Sequence, residues 1–201
     1  MLTIWGRTSS INVRKVLWAA QEMGVAFEHI EAGGPFGVVR TPEFLAMNPN
    51  GMVPVIDDDG FILWESNSIC RYLCAREGRD DLLPAAPRAR AEVEKWMDWQ
   101  MGELNNSWRY AFMSLVRQSP LHQDAAQLAA GVANWNAMMG ILEQQLQRSG
   151  AWVCGEHFTL ADIVLGLSVK RWRMAPLQHP DYPAIAAYHA HLAHKTAAFA
   201  G

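Results

Sequence analysis

Two clusters in this 201-residue chain have residue types and spacing suited to holding a ligand. The first is Asn50-Gly51-Met52-Val53-Pro54-Val55-Ile56. A proline among β-branched residues brings no N–H to a strand ladder, so it fits poorly inside a paired strand. It makes sense if the Val53–Pro54 peptide is cis, bending the chain and presenting the Val53 backbone outward. The second cluster is Trp64-Glu65-Ser66-Asn67-Ser68. Glu65-Ser66 falls where a short strand passes into a helix, a place whose free backbone N–H groups attract negative charge. Together the clusters describe a pocket for an extended, peptide-like, anionic ligand. The plainer reading of Glu65-Ser66 is a helix cap.

A third cluster, Thr8-Ser9-Ser10-Ile11-Asn12, lies between the first strand signal and the first helix signal. Its hydroxyls have an ordinary use as caps for the helix N–H groups. Their chemical use is to donate to a ligand thiolate, with the helix N-terminus adding positive potential. A thiol of pKa ~8.5 is roughly 3 % ionised at pH 7, and a drop of about two units makes it mostly thiolate. Asn12, two residues past Ser10, is placed to orient the serine or to add a second hydrogen bond. On the residues alone both uses stay open.

The elements that must position these clusters are legible in the periodicity. Leu2–Trp5 and Phe27–Ile30 read as short strands. Between them Val13, Val16, Leu17 and Ala20 give helical spacing over Asn12–Met23, ended by Gly24. A short helix is predicted over Pro42–Met47, with proline at its start. Val53–Asp57 and Phe61–Trp64 read as a hairpin around Asp59-Gly60, and Ser66–Arg76 as a helix stopped by Gly78. The order predicts a small α/β layer over residues 1–78. Residues 79–88, with Pro84 and Pro87, read as a linker. Over 89–201 strand signals nearly vanish. Val93, Trp96, Met97, Met101, Leu104, Trp108, Phe112 and Leu115 step along one long helix, and Leu128 to Leu146 mark another. Trp96 and Trp99 are expected to face different ways, one of them toward a subunit interface. Thr159-Leu160-Ala161-Asp162 opens a further helix as a capping arrangement for folding, and Ala184–Leu192 supplies a last one.

Composition narrows the classes. Half the residues are apolar and 18 % are charged, the balance of a globular protein. A net charge of −3 and a pI near 6.1 argue against nucleic acid as the partner. No run of ~20 apolar residues exists to span a membrane. The opening Met1–Trp5 is cut short by Gly6-Arg7 and does not read as a signal peptide. Cys70, Cys74 and Cys154 are odd in number and lack metal-ligand spacing, which suits a reducing cytoplasm, with Cys70 and Cys74 as small buried residues. His191 and His194 have no carboxylate partners at ligand spacing, so no metal is expected.

Four motifs in this order and spacing resemble cytosolic glutathione transferases. They are Ser10-x-Asn12-Val13, Asn48-Pro49-Asn50-Gly51-Met52-Val53-Pro54, Glu65-Ser66-x-x-Ile69 and Phe158-Thr159-Leu160-Ala161-Asp162. They look most like the serine-using bacterial members near the theta and phi branches. The resemblance covers nearly the whole chain and implies a thioredoxin-like α/β first domain with an all-α second domain. It implies that the Val53 backbone pairs with the cysteinyl part of glutathione and that Pro54 is the cis-proline shaping this edge. By the same resemblance Glu65 meets the γ-glutamyl ammonium, and Ser66 with a helix N–H meets its carboxylate. Arg40 falls near a basic residue that grips the glycyl carboxylate in some branches. Met52 stands where several branches place glutamine or lysine, so one glutathione contact is expected to be missing.

The catalytic tyrosine of mammalian-type branches is absent, and Trp5 lies where that strand aromatic occurs. A phi-like alignment selects Ser10 as the thiolate donor and a theta-like alignment selects Ser9. No cysteine occupies this turn, which disfavours glutaredoxin-like protein-thiol chemistry. The resemblance implies an electrophile site in a cleft between domains against the long helix, with Trp108, Tyr110, Phe112 and Met113 available to line it. Such an apolar stripe is equally the mark of a core. The implied function is conjugation of glutathione, as co-substrate, to small electrophiles in a cytoplasmic homodimer without a metal. The alternatives are glutathione-dependent peroxide or disulfide reduction, and a non-catalytic interaction module. Retention of Val53-Pro54, Glu65-Ser66 and a hydroxyl in the first turn favours an enzyme.

Overall fold

The computed structural model describes residues 1–196 and Phe199. The chain divides into two compact units, Met1–Pro87 and Arg88–Gly201. In the first, β1 (Leu2–Trp5) leads through α1 (Ile11–Met23) to β2 (Phe27–Ile30), which pairs with β1 in parallel. A parallel partner needs a crossover, and α1 supplies it. A single 3₁₀ turn, Gly34–Phe36, and α2 (Pro42–Met47) follow, and Thr41 caps α2 by accepting from the Phe44 N–H at 3.3 Å. Then β3 (Val55–Asp58) and β4 (Phe61–Trp64) form an antiparallel hairpin, giving the sheet order β2-β1-β3-β4. Asp59 and Gly60 both have positive φ, the conformation that a two-residue hairpin turn requires.

One face of the sheet buries Leu2, Ile4 and Ile56 in a core that also holds Val13, Val16, Ile69 and Leu73. Trp5, Val53, Ile62 and Trp64 pack around Ala32, Phe44 and Val55 in a separate cluster. Lys15, wholly buried on α1, donates from Nζ to Asn67 Oδ1 at 3.4 Å, tying α1 to the first turn of α3 (Ser66–Arg76). At the other end of α3, Tyr72 and Arg76 both donate to Asp58 Oδ2 at 2.6 Å, fixing α3 to the hairpin. The three cysteines are free; Cys70 and Cys74 are buried and Cys154 is half-buried.

The strand expected to start at Val53 starts at Val55 instead, because Pro54 has no N–H for the ladder and leaves Val53 outside it. The stretch 79–88 is more ordered than a free linker. Leu82 and Leu83 are buried, Arg79 donates to the Glu22 carbonyl at 2.9 Å, and Pro87 already opens a helix.

In the second unit the single long helix predicted from Val93 to Leu115 is interrupted. α4 (Pro87–Trp99) passes into a π-helical segment, Gln100–Leu104, and then into α5 (Asn105–Leu115). A π turn inserts one extra residue without breaking the helix, so a spacing of threes and fours hides it. Buried Gln100 donates to Asn105 Oδ1 at 2.9 Å across the segment. Trp96 and Trp99 meet edge to face with centroids 5.2 Å apart, contrary to the expectation that they diverge, because residues three apart share a helix face.

α6 (Ala125–Ser149) buries Trp135, Met139, Leu142 and Leu146. α7 (Leu160–Met174) is buried continuously from Leu160 to Val169, and α8 (Pro183–Lys195) closes the unit. Glu143 is buried because its carboxylate accepts from the Ala184 and Ile185 N–H groups, satisfying the start of α8. Asp162 is buried under the same logic. It accepts from the N–H groups of Val153 and Thr159 at 2.9 and 2.8 Å and from the hydroxyls of Thr159 and Tyr188.

Candidate glutathione site

Sheet register brings the three clusters to one place. Trp5 pairs with Val55 and Val55 pairs with Trp64, so the chain leaving β1, the chain entering β3 and the chain leaving β4 meet at one end of the sheet. Gly6-to-Asn12, Val53-Pro54 and Glu65-Ser66 are the residues just beyond those pairs. Gly6 is where the chain turns. At φ 149° a side chain is disfavoured, and a Cβ there would fall 2.4 Å from Val13 Cγ2 and 3.1 Å from Val53 Cβ. Its carbonyl accepts from His29 Nε2 at 2.6 Å, which puts the proton of that ring on Nε2.

The Val53–Pro54 bond is cis. Among the described residues the Val53 backbone makes no hydrogen bond, so both its N–H and its carbonyl are available to a peptide laid alongside. Its neighbour differs. The Met52 carbonyl accepts from Asn48 Nδ2 at 2.9 Å, while its side chain stands 63 % exposed and carries no hydrogen-bond donor. Arg40 is exposed, and its guanidinium lies over Gly51, where a Cβ would come 2.9 Å from Nη1. That puts the cation on the loop leading to Val53.

Glu65 and Ser66 begin α3, where the Glu65 carbonyl accepts from the Ile69 N–H at 2.9 Å, but neither side chain has an internal hydrogen-bond partner among the described residues. Glu65 has φ 74° and ψ 108°, a conformation that costs a non-glycine residue about 1–3 kcal/mol, and its side chain makes no cap. Its exposed carboxylate has no partner among the described residues. Ser66 is 2 % exposed, and its Oγ is sealed without a hydrogen-bond partner. A buried hydroxyl in that state costs about 1–3 kcal/mol unless something else completes it.

Capping does not occupy the first turn either. Ser10 is the N-cap of α1 by backbone geometry, yet its side chain makes no cap. Thr8 donates to Glu31 Oε1 at 3.5 Å; Ser9 is exposed and Ser10 half-buried, and neither hydroxyl is engaged among the described residues. Asn12 makes no hydrogen bond to Ser10 among the described residues, and its Oδ1 is buried without a partner, as the Ser66 hydroxyl is.

The proposed electrophile residues separate. Trp108 and Phe112 stand edge to face at 5.3 Å, and Trp108 also packs on Trp135 at 6.0 Å. Met113 is half-buried, and its carbonyl accepts from the Ser119 N–H at 3.0 Å. Tyr110 is committed elsewhere, its ring on His122 and its oxygen accepting from the Asp124 N–H at the start of α6.

Comparison with known proteins decides the family. The pattern described as "Glutathione S-transferase, N-terminal domain" matches residues 9–76, and "Glutathione S-transferase, C-terminal domain" matches 125–191. The chain is 43 % identical over 82 % of its length to Glutathione S-transferase GstB of Escherichia coli, covering 80 % of that protein. The chain belongs to the glutathione S-transferase family. A theta-class glutathione S-transferase from Xanthomonas axonopodis pv. citri, solved with glutathione bound, superimposes with a TM-score of 0.91 at 38 % identity, over 98 % of this chain and 94 % of that one. Glutathione S-transferase D7 of Anopheles gambiae is 32 % identical over 87 % of this chain and 78 % of its own. Among the described residues no helix is long and apolar enough to cross a membrane, and no group of three metal-ligating side chains forms.

For a glutathione S-transferase, two residues outside the recognised motif roles help to build the site. Asn48 is buried and holds the 48–52 loop through the Met52 carbonyl, and its Oδ1 accepts from the Asn50 N–H at 3.1 Å. An asparagine opening an Asn-Pro-Asn-Gly turn is the signal that identifies this role. Arg7, one residue past Gly6, reaches over the 33–34 loop, where a Cβ on Gly34 would meet its Nη1 at 3.0 Å. Val53 approaches the same loop, with Cγ1 3.6 Å from a Cβ on Gly33, so Arg7 adds positive charge beside the open backbone edge. Only its place in the first turn marks it in the sequence.

Proposed function

We propose that the chain is a glutathione transferase that ionises bound glutathione and directs its sulfur at a small electrophile. The observation that carries this is the coincidence at one end of the sheet of an unpaired Val53 backbone, an unpaired Glu65 carboxylate and a sealed, unpartnered Ser66 hydroxyl. A peptide zwitterion completes all three. The Val53 edge takes the cysteinyl amide, Glu65 the γ-glutamyl ammonium, and Ser66 with the first N–H groups of α3 the γ-glutamyl carboxylate. Arg40 takes the glycyl carboxylate, and Met52 offers no polar side-chain contact.

Ser10 is the residue we assign to the sulfur. It sits at the N-terminus of α1 with a disengaged hydroxyl, where donation to a thiolate is reinforced by the helix. The reaction then needs only ionisation and proximity: the sulfur forms a bond to carbon and the leaving group departs with its electron pair. Residues 1–78 bind glutathione in this reading, and 89–201 hold the electrophile through Trp108 and Phe112. The protein acts in the cytoplasm as a homodimer.

Titration with glutathione, followed by calorimetry and by the ultraviolet band of the bound thiolate, tests the proposal. Ser10→Ala is expected to bind glutathione with little change while losing roughly 25-fold in thiolate at pH 7. Full thiolate in Ser10→Ala together with its loss in Ser9→Ala would move the role to Ser9. Absence of binding heat for the native chain would end the proposal.

A further inference from the structure

Arg171 projects from α7 over two rings at once: its guanidinium carbon lies 4.6 Å from the centroids of both Trp108 and Phe112. A second guanidinium, that of Arg117, lies 5.5 Å from the same Phe112 ring. Among the described residues neither cation has a carboxylate or any other side-chain acceptor. Ring faces offer a cation attraction but no carboxylate or carbonyl oxygen, so the five N–H donors of the guanidinium still need acceptors of their own. The nitrogens of Arg171 are not sealed, so that donor edge is open to an incoming group. Burial, and then the charge of Arg117, draw the Arg171 pKa down to about 10, the mark of a cation kept without a counter-ion.

Folding alone does not account for bringing two like charges to one aromatic pair. We infer that Trp108, Phe112, Arg171 and Arg117 form an acceptor subsite selecting electrophiles that carry a carboxylate on an apolar or aryl body. The planar fork of Arg171 pairs with the two carboxylate oxygens, Arg117 adds charge, and the two rings hold the body. The inference rests on the reading of this chain as a glutathione transferase with Trp108 and Phe112 on its electrophile side.

4-(Bromomethyl)benzoate and its neutral counterpart 4-(bromomethyl)benzamide test it. In either case the glutathione sulfur bonds to the benzylic carbon as the carbon–bromine bond breaks and bromide leaves with the electron pair. The native chain is expected to favour the acid at least tenfold in kcat/KM after correction for the uncatalysed rate. That ratio is expected to collapse toward one in Arg171→Gln, to survive in part in Arg171→Lys, and to fall several-fold in Arg117→Gln, whose exposed site keeps the fold safe.

Calorimetry without glutathione separates this inference from the parent reading. 4-Methylbenzoate should bind at least tenfold more tightly than 4-methylbenzamide, and Arg171→Gln should erase the difference. Equal binding of the two, or a preference indifferent to both arginines, overturns the subsite. Preferential benzoate binding with no thioether formed from either bromide supports the subsite and overturns the conjugation reading instead.

Discussion

Ser66 offers the sharpest test at the scale of one residue, because its hydroxyl is sealed without a partner. Ser66→Ala should leave the free chain as stable as before, or up to about 1 kcal/mol more so, since no internal hydrogen bond is lost. The same change should weaken glutathione about tenfold, a loss near 1.4 kcal/mol, and Glu65→Gln should do likewise. Urea unfolding read beside calorimetry separates the two effects. Asp162 gives a pH signature. Burial pushes its carboxyl up to about 6, against the hydrogen bonds that favour the charged form. A raised folded pKa means stability present below the unfolded value and lost as pH climbs through the folded one. The stability of the native chain relative to Asp162→Asn should therefore fall by about 2 kcal/mol between pH 4 and pH 7, measured by urea unfolding. Much at this scale was legible, because Val53-Pro54 and Glu65-Ser66 break local rules that a purely structural segment obeys. Spacing alone does not show that Asn12 Oδ1 is buried without a partner. Arg7 left only a faint trace, because its place depends on a loop some 25 residues away in sequence, a contact of the kind that local patterns do not encode.

At the scale of elements, the first unit was read nearly to the residue because strands and helices there are short and punctuated by Gly and Pro. The miss at Val53 came from extending an apolar run through a proline. In the second unit the π segment escaped because one inserted residue barely disturbs an apolar stripe. What aligns α5 with α6 was also hidden: Gly131 is buried, and a Cβ there would lie 3.3 Å from the Ala111 backbone nitrogen and 3.5 Å from its Cβ. Gly131→Leu should overpack this contact, lower stability by about 1–3 kcal/mol in urea unfolding, and disturb the Trp108–Trp135 pair in the near-ultraviolet circular dichroism.

For the whole molecule, the proposed homodimer predicts a light-scattering mass twice the 22.5 kDa of one chain. A mass of 22.5 kDa at working concentration would remove that part of the proposal. The cysteines have a wider consequence. Burial holds the Cys70 thiol up at about 12, and burial with the nearby Asp162 charge holds Cys154 up at about 11, while Cys74 is 2 % exposed. At neutral pH Cys70 and Cys154 offer almost no thiolate to an alkylating compound, and Cys74 is shielded by its burial. Under the proposed function such compounds are the protein's daily company; its own thiols are thereby spared self-poisoning, and the sulfur placed within their reach is one it can release and replace.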